Sequence, residues 1–71
     1  MKYTVVVERA DNGTSWGAYV PDLPGCVAVG PSAEWVEREI VAAIETHLAS
    51  LRADGDPVPE PHSRAIEIEA A

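Results

Sequence analysis

AEWVEREIVAAIETHLASLRA, running from Ala33 to Ala53, decides how the rest of the chain must be arranged. Its apolar residues Val36, Ile40, Ala43, Ile44, Leu48 and Leu51, with His47 among them, recur at three- and four-residue intervals. That spacing gathers them into one stripe of an α-helix, and the stripe must be buried against a second layer. Ser32 stands just before the segment, where its hydroxyl can accept from a free N–H of the first turn, and Glu34 suits the positive end of the helix dipole. Asp54-Gly55-Asp56 follows, with Gly55 suited to the left-handed conformation that commonly closes a helix.

Upstream, Gly30-Pro31-Ser32 ends a short β-branched run, Cys26 to Val29, read as a third strand. Before it lies Pro21-Asp22-Leu23-Pro24-Gly25, a stiff connector in which Pro24-Gly25 suits the centre of a type II turn. Ser15 to Val20 reads as a second strand. Asn12-Gly13 tolerates positive φ, so Asp11-Asn12-Gly13-Thr14 predicts a hairpin reversal back to a first strand, Tyr3 to Glu8.

Downstream, Pro57, Pro59 and Pro61 predict an extended return segment, and Arg64-Ala65-Ile66-Glu67-Ile68-Glu69 alternates as a half-buried strand does. The resulting order β-β-β-α-β predicts a two-layer α+β domain: a four-stranded mixed sheet with one helix on one face and the last strand parallel to the first. The other face has no helix to cover it. Thr4, Val6, Tyr19 and Ala28, or their alternates, are expected to meet water or a second copy of the chain.

Seventy-one residues make a single domain, 1–71, whose core supplies only about 3–5 kcal/mol. Cys26 is the only cysteine, so no internal disulfide is available and oligomerisation, as a homodimer or higher assembly, is the expected reinforcement. The N-terminus reaches charge too early for a secretory leader and no stretch approaches membrane-spanning length, which predicts a cytoplasmic protein without membrane contact. Twelve Asp and Glu against five Lys and Arg give a net charge of −7, which disfavours direct nucleic-acid binding and attracts cationic surfaces. Seven of those acids against two arginines fall between Glu34 and Glu60.

Tyr19-Val20-Pro21-Asp22-Leu23-Pro24-Gly25-Cys26, then Gly30, then Ala43-Ile44 and His47-Leu48, then Asp54-Gly55-Asp56-Pro57-Val58-Pro59-Glu60-Pro61, together resemble the HicB-like antitoxin family. The similarity runs from about Tyr3 to Pro61. It implies a truncated ribonuclease H-like domain without nuclease activity, whose relatives bind a small, basic, RNA-cleaving toxin called HicA and bury its catalytic histidine. Longer members carry a C-terminal helix-turn-helix or ribbon-helix-helix module that binds their operator. Here no helix or basic patch follows Pro61, so no C-terminal DNA-binding domain is expected. Trp35 and Glu37 stand where relatives tend to have a polar residue followed two positions on by leucine.

Candidate partner contacts are Trp16, Asp22, Leu23, Glu34, Trp35, Glu37 and Glu45: tryptophans because they dominate interfaces, acids because the partner that the resemblance implies is basic, and the Asp22-Leu23 loop, which could equally be turn chemistry alone. Trp16 covering an open sheet edge and Trp35 closing the core are the competing readings. No catalytic, metal or cofactor site is expected. Glu8, Glu67 and Glu69 are spread along strand ends instead of converging as metal-dependent nuclease chemistry requires, and Cys26 with His47 lacks an orienting acid and an oxyanion hole. Two alternatives to an antitoxin remain open: a stand-alone regulatory or ligand-binding domain of the same fold, and a metal-dependent RNA-cleaving enzyme.

Overall fold

A computed structural model describes all 71 residues. Three short strands, β1 (Val6–Arg9), β2 (Trp16–Tyr19) and β3 (Val27–Gly30), precede one helix, α1 (Ala33–Ala53). The sheet is antiparallel in the order β1-β2-β3, with Val6 opposite Tyr19 and Tyr19 opposite Val27.

The helix begins and ends where its capping residues dictate. Ser32 is in extended geometry and its hydroxyl accepts from the Trp35 N–H at 3.1 Å. At the other end Gly55 has φ of 73°, the Gly55 N–H donates to the Arg52 carbonyl at 3.2 Å, and the Asp56 N–H donates to Leu51 at 2.9 Å. These are the paired bonds of a Schellman closure. Val36 and Ile40 are buried from the helix, and with Ala18, Val20, Leu23 and Cys26 they form the core.

Loop chemistry explains where the strands stop. Leu23 N–H donates to the Val20 carbonyl and Cys26 N–H to the Leu23 carbonyl, each at 3.0 Å, making two successive turns. Gly25, with φ of 86°, takes the left-handed position of the second, the type II geometry expected of Pro24-Gly25. Beyond Tyr19 the chain no longer pairs with β1: the Val20 N–H points to the Cys26 carbonyl on the β3 side, and Pro21 has no N–H to offer. Tyr3, Thr4 and Val5 therefore face no strand, and β1 starts at Val6 instead of Tyr3. The first reversal is looser than a two-residue Asn-Gly turn. Ala10 N–H reaches the Ser15 carbonyl, only Gly13 has positive φ, and the Asn12 side chain accepts from the Thr14 and Ser15 amides.

The expected fourth strand is not in the sheet, which has three strands and no parallel pair. Residues 57–71 take no regular secondary structure. Their root is tied down by side chains: Tyr3 Oη–H donates to the Pro59 carbonyl, and Thr4 Oγ1–H donates to the Ser63 carbonyl at 2.7 Å. Beyond Ser63 the alternating segment continues with Ile66 and Ile68 exposed. Alternation marks a segment able to become a strand; it does not create an edge to pair with.

The register assigns the sheet faces. Val7, Ala18 and Ala28 share the helix side, whereas Val6, Tyr19 and Val27 share the open side, with Val29. Val6 and Tyr19 thus lie on the uncovered face as expected. Ala28 instead packs against the core, and Thr4 bonds to the C-terminal segment.

Candidate partner-binding site

Asp22 is a buried carboxylate held at the turn between β2 and β3. Its Oδ2 accepts from the backbone N–H groups of His62 and Ser63, each at 2.9 Å. Its Oδ1 accepts from Ser63 Oγ–H at 2.6 Å and lies 3.2 Å from His62 Nε2. One carboxylate therefore clamps the C-terminal segment to the sheet, and each bond to the ionised acceptor is a charge-assisted one. The Ser63 hydroxyl bond is the largest influence on its pKa and lowers it from the ordinary 3.8; burial opposes that, and the Ser63 and His62 amides and the His62 charge add to the lowering. A folded pKa below the unfolded one means that the clamp stabilises fully above about pH 3.8 and is lost as pH falls through the lower folded value. Amide protons of His62 and Ser63, followed by NMR, are expected to lose protection as the pH falls below 3.8 and to be unprotected already at neutral pH in Asp22→Ala.

Trp35 is half-buried because of one small neighbour. Its indole lies flat over Gly30, so closely that a Cβ added there would overlap ring carbons Cε3, Cζ3 and Cδ2. Trp16 faces Gly30 across the β2–β3 pair and also packs against the core, on the helix side of the sheet. Gly30 was legible as a strand breaker; its role as the seat of an indole was not.

Beside the indole, α1 and β3 enclose an open groove of about 610 Å³. Ala28, Ala42, Ala43 and Trp35 make its apolar lining, and Glu39 and His47 its polar border. Cys26 also lines it, buried, and that burial raises its thiol pKa. No three His, Cys, Asp or Glu side chains converge as a metal site requires.

The residues singled out from sequence separate into two groups. Glu34, Glu37 and Glu45 are exposed along α1, Glu34 and Glu45 on its solvent side, while Trp16 and Trp35 keep partial exposure. Asp22 and Leu23 form the second group: Leu23 is wholly buried in the core and Asp22 is taken up by the clamp, so neither side chain faces outward. Glu39 and His47 border the groove but were not among the expected contacts. The four-residue helical offset from Trp35 to Glu39 is the signal that would have found Glu39; His47 lies twelve residues on, about a third of a turn away, where spacing from Trp35 gives no such signal.

The fold is thus a small α+β layer with an acidic helix exterior beside an apolar groove. The model of the HicB-like antitoxins of bacterial toxin–antitoxin systems matches residues 3–70, and the chain belongs to that family. Among relatives, a UPF0150 protein of Helicobacter pylori is 44% identical over 76% of this chain and 72% of its own length. A UPF0150 protein of Thermoplasma acidophilum is 30% identical over 99% of this chain and its full length, and one of Synechocystis is 38% identical over 82% and 72%. No solved structure matches this chain. Family membership supports an antitoxin role and a toxin as partner, and no helix here is long and apolar enough to cross a membrane.

Proposed function

We propose that this chain neutralises a small, basic, RNA-cleaving toxin of the HicA type by binding over its active site. The observation that carries the reading is the coincidence of antitoxin family membership with a −7 chain whose acids Glu34, Glu37 and Glu45 stand exposed on one helix. A cationic nuclease is drawn to such a surface, and the field accelerates encounter more than it deepens affinity. Trp16 and Trp35 contribute the edges of their rings that the core leaves uncovered. Asp22 and Leu23 act indirectly, by fixing the loop.

Changing Glu34, Glu37 and Glu45 together to Lys moves the net charge from −7 to −1, since each reversal adds two. Stopped-flow association with a HicA-type protein at low salt is expected to slow by at least about ten-fold, with a flatter salt dependence. An association rate that neither the reversal nor salt alters would refute the acidic helix as the docking surface.

A further inference from the structure

We propose that the C-terminal segment Arg64–Glu69 of one copy adds as a strand to the β3 edge of a second copy, reciprocally, placing Ile66 and Ile68 in the groove between β3 and α1. The edge itself asks for a partner. β3 is Val27-Ala28-Val29-Gly30, without the lysine, proline or inward charge by which exposed edges are normally protected from pairing. The segment asks for one too: it alternates as a strand, yet Ile66 is 70% and Ile68 79% exposed. The chain's radius of gyration of 13.7 Å exceeds the roughly 11 Å of a compact domain of this length, consistent with an end that extends beyond the body.

The occupant is a second copy because of where the segment is rooted. Tyr3, Thr4 and Asp22 hold Pro59, His62 and Ser63. Tyr3 and Thr4 lead into β1, the edge opposite β3, and Asp22 follows β2 at the same end of the sheet, so the segment leaves from the β1–β2 side with Ile66 and Ile68 exposed and unpaired with the β3 edge of its own chain. A neighbouring copy has no such tether.

Charge selects the register. Arg64, Ile66 and Ile68 share one face of an extended strand and Glu67 and Glu69 the other. With the isoleucines in the groove, Arg64 comes to the border that carries Glu39; the opposite register would set Glu67 and Glu69 there. Backbone bonds along the edge supply affinity and the alternate side chains supply specificity, as in strand addition generally. Two exchanged six-residue strands bury on the order of 1,200 Å², within the range of stable interfaces.

Sedimentation equilibrium on the full chain tests this. The wild type is expected at twice its 7.6 kDa, and Ile66→Asp with Ile68→Asp at the single mass, with an unchanged circular dichroism spectrum because both side chains are exposed in the isolated fold. Arg64→Glu is expected to weaken the dimer several-fold, and adding Glu39→Arg to restore it. A wild type of single mass at every concentration loaded would overturn the proposal, as would a dimer indifferent to the isoleucine pair. A dimer constant unmoved by Arg64→Glu would overturn the register.

Discussion

Leu23→Ala is expected to leave most of the chain unfolded at room temperature. Leu23 has no exposed surface, and the loop around it is the pivot of the fold. Its N–H and carbonyl close two successive turns, its side chain lies in the core with Val36 and Ile40, and the adjacent Asp22 holds the C-terminal segment. Replacing a buried leucine by alanine costs about 2–5 kcal/mol, depending on how far the cavity collapses. Pro21 and Pro24 stiffen the loop on both sides, so collapse is limited and the cost falls toward the upper end. A core with six buried apolar residues supplies a margin of about the same size. Urea titration followed by circular dichroism checks this: the expected result is a transition already under way without denaturant. A midpoint within experimental error of the wild type would show that the core lies elsewhere.

Gly30→Ala is expected to cost about 1–3 kcal/mol by overpacking, and to drive the Trp35 ring off its seat. The clash involves three carbons of a rigid indole flanked by the helix, and a flexible side-chain tip is not available to yield. Because Gly30 does not have positive φ, the backbone itself accepts alanine, and the whole effect comes from the indole. Tryptophan emission should move to longer wavelength. The two sites should be strongly non-additive: in a Trp35→Ala background the alanine at position 30 should cost little, since its neighbour has gone. Equal costs with and without the indole would refute the contact.

Much of this fold is written in local chemistry. Ser32 and Gly55 fix both ends of α1, and Pro24-Gly25 fixes its turn type, because each acts on bonds within a few residues of itself. Strand limits were less legible: β1 loses Tyr3 to Val5 because Pro21 ends the facing strand, a condition set by a residue far along the chain. The fourth strand failed for the same reason. Arg64 to Glu69 has the period of a strand, but it pairs with neither edge of the sheet, and the bonds to Asp22, Tyr3 and Thr4 that set its path span some forty to sixty residues.

The site shows the same division. Exposed acids on α1 followed from helical spacing alone, since a residue opposite the apolar stripe has nowhere to go but solvent. Asp22 and Leu23 suit either a partner contact or turn chemistry alone, and local sequence does not decide between them. Their burial depends on Ser63, His62 and the underside of α1, none of which is near them in sequence. Trp35 was recognised as important, and Gly30 as a break, yet their pairing is a shape relation that composition does not encode.

Silencing of a toxin by contact is read out by cleavage of a labelled RNA by a HicA-type ribonuclease titrated with the purified chain. Cleavage is expected to fall in proportion to added chain and to stop near stoichiometric equivalence at low salt, with the inhibition weakening as salt is raised. Cleavage continuing at full rate in the presence of a large excess of folded chain at low salt would contradict it.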